Sequence, residues 1–282
     1  MNNTVEKSLL WAKNILKENN CEAYALDAEL LIMEVLKISR VKLFMEQKRI
    51  LSTEEYEKFK EFVDKRASGV PTQYILGTCE FMSLDFNVNP YTLIPRNDTE
   101  ILVETAIDEF KKNNVKSFID IGTGSGCIGI SLAYYTDSEG TCVDISEGAL
   151  ETAKINAKNN NVYNKLKFVL SNIFENINEK YDAIVSNPPY IRTDVIKGLM
   201  REVKEHEPYN ALDGGEDGLY FYREIVDKSH KYLNEKGFIF FEIGYDQGED
   251  VKNILESKGF CDVKVIKDLA GLDRVVTGRK IW

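Results

Sequence analysis

From about residue 115 onward, short apolar runs alternate with longer amphipathic segments, and this rhythm constrains the fold more than any other feature of the sequence. Such an alternation of strand and helix predicts a mainly parallel sheet with helices on both faces. The predicted strands are residues 117–121, 141–144, 166–170, 181–186, 238–243, 263–266 and 274–278. The predicted helices are residues 128–135, 146–160, 219–233 and 247–257.

The last two predicted strands lie too close in the chain for a helix to connect them. Residues 269–273 lie between them, whereas a parallel connection needs a crossover of about a dozen residues or more. We therefore expect these two strands to pair antiparallel, so that the sheet ends in a hairpin.

The first 75 residues are of a different kind and indicate consecutive helices. Ser52 and Glu55 form an S-x-x-E capping box, and Asn3 with Glu6 resembles a second N-terminal capping pair. Two apolar stripes at helical spacing predict the core of a small bundle. The stripes are Val5, Leu9, Leu10, Ile15 and Leu16, followed by Leu26, Leu30, Met33, Val35 and Leu36.

Glycine and proline within residues 69–77 end the helical pattern, and an alternating apolar segment follows. The alternating residues are Leu84, Phe86 and Val88, which predict an extended segment and a hairpin. The predicted organisation is a helical domain at residues 1–75, a linker with a β-hairpin at residues 76–95, and the sheet domain at residues 96–282.

The composition excludes several classes of function. The chain has 36 basic and 46 acidic residues, a net charge of −10, which offers no attraction to phosphate backbones. Five cysteines without a C-x-x-C pair, and only two histidines, predict neither a structural metal site nor a disulfide framework. No apolar run approaches the length of about 18 residues that a membrane helix needs. Acidic residues near the start argue against a targeting peptide. We therefore expect a cytoplasmic protein.

A glycine-rich turn follows the first strand of the sheet domain. Glycines at every second position allow a tight turn and close approach of a ligand to the start of a helix. Gly124, Gly126 and Gly129 match the G-x-G-x-x-G dinucleotide motif, whereas Asp120 with Gly122, Gly124 and Gly126 matches the D-x-G-x-G-x-G turn that binds S-adenosylmethionine. The loop alone leaves both cofactors open, as well as a purely structural turn.

Asp144 ends the next strand of the sheet domain. An acid at this place can accept hydrogen bonds from both ribose hydroxyls of a nucleoside cofactor. Both candidate cofactors contain a ribose, so Asp144 supports nucleoside binding without choosing between them. The alternative is a cap for the helix that begins near Ser146.

The N-P-P-Y sequence after the fourth strand narrows the chemistry. Its residues are Asn187, Pro188, Pro189 and Tyr190. The prolines fix the backbone and lack N–H groups, so a planar NH2 group can donate to the Asn187 side-chain oxygen and the Pro188 carbonyl, with Tyr190 against its plane. Such an arrangement aims a poorly nucleophilic nitrogen at an electrophile. It predicts methylation of an exocyclic amine of adenine or cytosine, or of a side-chain amide.

Together these segments resemble the HemK/PrmC-type methyltransferases, which methylate the N5 amide nitrogen of glutamine in the Gly-Gly-Gln motif of class I peptide chain release factors. The matching segments are residues 69–77, 93–100, 120–126, 187–190, 207–208, 214–219 and 241–244. The resemblance implies the class I S-adenosylmethionine-dependent methyltransferase fold, a Rossmann-like, seven-stranded sheet with a terminal antiparallel hairpin, plus a small N-terminal helical domain that docks the release factor.

The sequence departs from the family pattern at two places. Asn97 replaces the middle proline of P-R-P-D-T-E, while Arg96 and Thr99 remain as supporting residues of the loop. After the third strand, Asn172 stands where the family commonly has aspartate, and Ile173 follows it in place of an aromatic residue. The Asn172 amide can still hydrogen-bond adenine, whereas Ile173 offers an apolar face only.

The resemblance assigns the remaining roles. Cofactor residues are Gly122, Thr123, Gly124, Ser125, Gly126, Asp144, Asn172 and Asn187, supported by Arg96, Thr99, Asp120 and Ile173. Substrate residues are Asn187, Pro188, Pro189 and Tyr190. We expect a monomer that converts S-adenosylmethionine to S-adenosylhomocysteine without a metal. The alternative, a DNA or RNA adenine N6-methyltransferase, shares N-P-P-Y but should carry a basic groove. A non-catalytic nucleotide-binding module would leave N-P-P-Y unexplained.

Overall fold

A computed structural model describes residues 3–281, so residues 1, 2 and 282 of the predicted terminal domains lie outside the described residues. The chain divides into two compact units. The first extends to Gly77 and includes Met200–His206, and the second combines Thr78–Leu199 with the chain from Glu207 onward. The hairpin of the predicted linker groups with the second unit.

The first unit is a helical bundle. It begins with five helices: α1 (Val5–Glu18), α2 (Tyr24–Leu36), α3 (Arg40–Met45), α4 (Thr53–Ala67) and α5 (Thr72–Leu76). The Ser52–Glu55 capping box at the start of α4 is confirmed. The predicted cap at Asn3 is wrong, because Thr4 occupies the N-cap position of α1 and accepts a hydrogen bond from the Lys7 N–H.

The apolar stripes of this unit are partly confirmed. Val5 and Leu16 are fully buried, but Leu10 is 62% exposed. In α2 the fully buried residues include Leu31 and Ile32, whereas Leu26 is 47% exposed. The predicted stripe fails there because apolar residues occur on nearly every side of α2, so that the spacing alone does not define the buried face.

A hairpin and a long helix open the second unit. Strands β1 (Thr78–Phe81) and β2 (Leu84–Asn87) pair antiparallel, and the predicted alternation is confirmed because Leu84, Phe86 and Val88 are buried. Helix α6 (Asn97–Asn113) follows and was not predicted. Its signal was present, since its buried residues recur at helical spacing. They are Thr99, Leu102, Val103, Ala106, Ile107 and Phe110.

A seven-stranded sheet forms the centre of the second unit. The strands are β3 (Ser117–Ile121), β4 (Glu139–Asp144), β5 (Leu166–Leu170), β6 (Tyr181–Ser186), β7 (Leu233–Glu242), β8 (Phe260–Lys267) and β9 (Asp273–Lys280). Their order is β5-β4-β3-β6-β7-β9-β8. The first five are parallel, and β9 is antiparallel to both neighbours. The predicted parallel sheet with a terminal hairpin is confirmed.

Helices cover both faces of this sheet. They include α7 (Cys127–Tyr135), α8 (Glu147–Asn159), α10 (Tyr220–Tyr232) and α11 (Gly248–Ser257), and α9 (Arg201–His206) lies between α8 and α10 in the chain. Alternate residues of each strand enter opposite cores: Phe118 packs with α6 and α7, whereas Ile119 packs with α10 and α11. None of the helices within residues 3–281 combines the length and apolar character needed to cross a membrane.

Helix α9 groups with the helical bundle although it lies far along the chain. The buried Arg66 guanidinium joins it to α2, with Nη2 at 2.6 Å from a Glu202 carboxylate oxygen and Nε at 2.9 Å from Asp27. Asp27 also accepts a hydrogen bond from the Thr72 hydroxyl at 2.8 Å. Side chains from α2, α4, α5 and α9 therefore share one polar network, which is buried except at Glu202, whose side chain is 30% exposed.

Candidate active site

The predicted site residues lie at the carboxyl edge of the parallel strands. Strand β3 is central, with β4 on one side and β6 on the other, so the chain leaves β3 at the point where the strand order reverses. Ligands of open α/β sheets bind at such points. The glycine loop follows β3 and the N-P-P-Y sequence follows β6, which places both motifs at this crevice.

The glycine loop has the backbone that its sequence predicts. Gly122, Gly124 and Gly126 have φ values of 72°, 55° and 84°, a region that favours glycine. A Cβ at Gly126 would lie 2.7 Å from Ile130, whereas a Cβ at Gly122 or Gly124 would meet nothing within 4 Å. Gly126 therefore lies against packed side chains, while Gly122 and Gly124 border open space.

Buried side chains hold this loop in place. Asp120 Oδ2 accepts hydrogen bonds from the Thr123 hydroxyl at 2.6 Å and from the Gly129 N–H at 3.0 Å. Burial raises the pKa of Asp120 from 3.8 to about 7. The Ser125 carbonyl accepts a hydrogen bond from Asn156 of α8 at 2.9 Å. The loop is thus preorganised by its own framework.

Asp144 faces the glycine loop from the end of β4. One carboxylate oxygen accepts the Gly124 N–H at 2.8 Å, and the other accepts the Ser146 N–H at 2.9 Å. Burial raises its pKa. The capping alternative is wrong, because Ser146 itself caps α8. Each carboxylate oxygen can accept a further hydrogen bond, as two neighbouring hydroxyls would require.

The segment after β5 lies beside Asp144, whose carbonyl accepts the Ser171 N–H at 3.0 Å. Asn172 is exposed and donates to Glu175 at 2.9 Å. Ile173 is only 8% exposed and packs in the core, so most of its side chain is turned inward. Sequence reasoning missed the apolar Ile145, which directly follows Asp144 and is 64% exposed.

The N-P-P-Y loop is held by close backbone packing. A Cβ at Gly214 would lie 2.7 Å from Tyr190 Cα, and one at Gly218 would lie 2.5 Å from the Tyr190 carbonyl oxygen. Buried Gln247 donates to both the Tyr190 and Gly218 carbonyls, at 3.0 and 3.1 Å. Gln247 was missed because only the tertiary fold brings it to this loop.

The two supporting residues near the start of α6 have different environments. Arg96 pairs with the buried Glu207 at 2.5 Å and remains partly exposed. Thr99 is buried, and its hydroxyl accepts a hydrogen bond from Asn187 Nδ2 at 3.3 Å. Thr99 therefore contacts a predicted substrate residue directly. Within residues 3–281, no cluster of three or more His, Cys, Asp or Glu side chains could hold a metal ion.

Two family profiles match the chain. The PrmC N-terminal domain matches residues 7–77, and the methyltransferase small domain matches residues 97–206. A methyltransferase from Pyrococcus furiosus is similar in structure, with a TM-score of 0.53 and 19% identity over 72% of this chain and 91% of that chain. This likeness supports the fold alone.

Curated relatives match the chain over nearly its whole length. The release factor glutamine methyltransferase of Clostridium botulinum is 46% identical over 96% of this chain and 98% of the relative. The release factor glutamine methyltransferase of Clostridium acetobutylicum is 43% identical over 96% of this chain and 97% of that relative. The resemblance inferred from the motifs is confirmed: the chain belongs to the release factor glutamine methyltransferase family.

Proposed function

We propose that this protein transfers a methyl group from S-adenosylmethionine to the N5 amide nitrogen of the glutamine in the Gly-Gly-Gln motif of class I release factors. The observation that carries the proposal is the position of Asn187–Tyr190, directly after β6 and beside the glycine loop after β3. The similarity of the chain, over nearly its full length, to release factor glutamine methyltransferases supports an amide as the acceptor.

The residues at the crevice fit S-adenosylmethionine. The open space at Gly122 and Gly124 can admit the methionine part close to the backbone, with Thr123, Ser125 and Gly126 shaping the turn. Asp144 can accept hydrogen bonds from the ribose hydroxyls, and Asn172 can hydrogen-bond the adenine. The exposed Ile145 adds an apolar surface for the adenine ring. When bound, this cofactor supplies an electrophilic methyl group.

Asn187 and Pro188 prepare the acceptor nitrogen. The Asn187 side-chain oxygen and the Pro188 carbonyl accept the two amide hydrogens, and Tyr190 packs against the amide plane. Both hydrogen bonds strengthen as positive charge builds on the nitrogen, so that they stabilise the transition state more than the ground state. The methylated nitrogen is strongly acidic, so its proton can pass to water without a dedicated base.

The partner and the cellular setting follow from this substrate. We assign docking of the release factor to the helical unit, which contributes no residue to the proposed chemistry. The protein acts in the cytoplasm as a monomer, modifies factors of translation termination and makes no direct contact with nucleic acid. This assignment agrees with the acidic net charge of −10.

Peptide mass spectrometry tests the proposed reaction. The protein is incubated with S-adenosylmethionine and purified release factor, and the digest is searched for an added methyl group. We expect the methyl on the glutamine of Gly-Gly-Gln and none when that glutamine is replaced by glutamate. Methylation of an adenine oligonucleotide, with none on the release factor, would contradict the proposal.

A further inference from the structure

A buried acid stands behind the N-P-P-Y loop, at the end of β7. Glu242 is 1% exposed, and its Oε1 lies 3.5 Å from the Tyr190 hydroxyl. Its Oε2 is buried and lacks a well-formed hydrogen bond, and Thr99 and Asn187 are polar groups that face the carboxyl. Burying a carboxylate with one oxygen that lacks a good hydrogen bond is energetically costly. A buried acid of this kind is expected to have a structural or functional role.

An ion pair with Arg274 does not explain the burial of Glu242. Arg274 of β9 faces the same region, but its guanidinium bonds Asp268 at 3.1 Å and pairs with Asp98 at 3.3 Å. Burial raises the pKa of Glu242 to about 7, and Thr99, Arg274 and Asn187 oppose this rise. The Glu242 carboxyl instead faces Thr99 and Asn187, which lie next to the proposed site of the acceptor nitrogen.

The chemistry of these neighbours fixes one orientation of the Asn187 amide. In its ionised form the Glu242 carboxyl can only accept hydrogen bonds, and the Thr99 hydroxyl already accepts one from Asn187 Nδ2. With Glu242 ionised, Asn187 turns its NH2 group toward Thr99 and Glu242, which leaves its oxygen for an incoming N–H. We propose that Glu242 is a positioning residue that holds the Asn187 amide with its oxygen toward the substrate nitrogen.

This inference rests on the proposed methyl transfer, and a double-mutant cycle tests it. Glu242→Gln keeps the shape but presents an NH2 group that competes with that of Asn187. We expect kcat to fall about tenfold or more, while the KM for release factor and the Kd for S-adenosylmethionine stay within about twofold. In an Asn187→Ala background the same substitution should change kcat by less than about twofold, because the orientation no longer matters.

Asp182→Asn is the matched control. Asp182 is a hydrogen-bonded acid at the opposite edge of the sheet, where it accepts the Lys116 and Ser117 N–H groups. Its substitution should lower the melting temperature but leave kcat near the wild-type value. Independent effects of Glu242→Gln and Asn187→Ala on kcat would overturn the inference, as would wild-type kcat in Glu242→Gln.

Two further results keep the test decisive. If Glu242→Gln does not fold, Thr99→Val can be used in its place, because it removes the second acceptor for the Asn187 NH2 group. The effect of Thr99→Val on kcat should also disappear in the Asn187→Ala background. Persistence of that effect would overturn the inference. Wild-type protein that leaves the release factor unmethylated would contradict the proposed function, whereas active wild type with independent effects contradicts the positioning role alone.

Discussion

Ile121 and Ser186 are register partners in the adjacent parallel strands β3 and β6, and the Ser186 hydroxyl donates to the Ile121 carbonyl at 2.7 Å. The residues that follow them are Gly122 and Asn187. The pairing therefore starts the glycine loop and the N-P-P-Y loop side by side. Strand register thus brings the proposed cofactor site next to the proposed acceptor site.

Asp144→Ala should weaken S-adenosylmethionine binding strongly. The change removes the charged acceptor that we propose for the two ribose hydroxyls, each hydrogen bond being worth about 1.5–3 kcal/mol. It also releases the Gly124 N–H that Asp144 holds at 2.8 Å. Calorimetry measures the effect, with the exposed Asp108→Ala as control. An unchanged Kd would rule out the ribose assignment, and NAD binding would revive the dinucleotide interpretation.

Gly218→Ala should impair catalysis while Gly198→Ala should not. A Cβ at Gly218 would lie 2.5 Å from the Tyr190 carbonyl oxygen, and the residue has a φ of 75°, whereas a Cβ at Gly198 meets nothing within 4 Å. Displacement of the N-P-P-Y loop should lower kcat by about 10²-fold, as small misplacements of catalytic groups do. Steady-state kinetics with release factor compare the two variants. Equal activity would show that the close packing is unimportant.

Arg66→Met should destabilise the helical unit. The substitution leaves Asp27 and Glu202 without their shared partner, and breaking a buried pair costs about 3–5 kcal/mol. The exposed pair of Lys58 and Glu61 gives the comparison, since Lys58→Met should cost less than about 1 kcal/mol. Urea unfolding provides both values. Similar losses in the two variants would argue against a structural role for the buried network.

Asp120 makes stability depend on pH. Its pKa is raised from 3.8 to about 7, so the folded protein binds its proton more tightly than the unfolded chain, and stability falls as pH rises between these values. The contribution is at most about 4 kcal/mol. Asp120→Asn should remove this part of the fall in stability with rising pH. The free energies of unfolding of the two proteins at pH 5 and pH 7.5 measure the difference. Parallel pH dependence in the two proteins would contradict the assignment.

The sequence predicts this sheet well because each strand is a short apolar run bounded by polar segments. It predicts α2 poorly, since apolar residues on most sides of that helix hide which of them, Leu31 rather than Leu26, is buried. In the candidate site, local motifs locate the glycine loop and N-P-P-Y. Gln247 escapes such reasoning because its contact with Tyr190 joins segments far apart in the chain.

Single-turnover methyl transfer by Asn187→Ala tests the central claim most directly. The variant loses the side-chain acceptor that we propose orients the glutamine amide. By analogy with removal of one oxyanion-hole donor, the rate should fall about 10²–10³-fold. Cofactor affinity should change much less, because the glycine loop and Asp144 carry most of the proposed contacts. A rate within about threefold of wild type, for a variant that still folds and binds the cofactor, would contradict the role of Asn187.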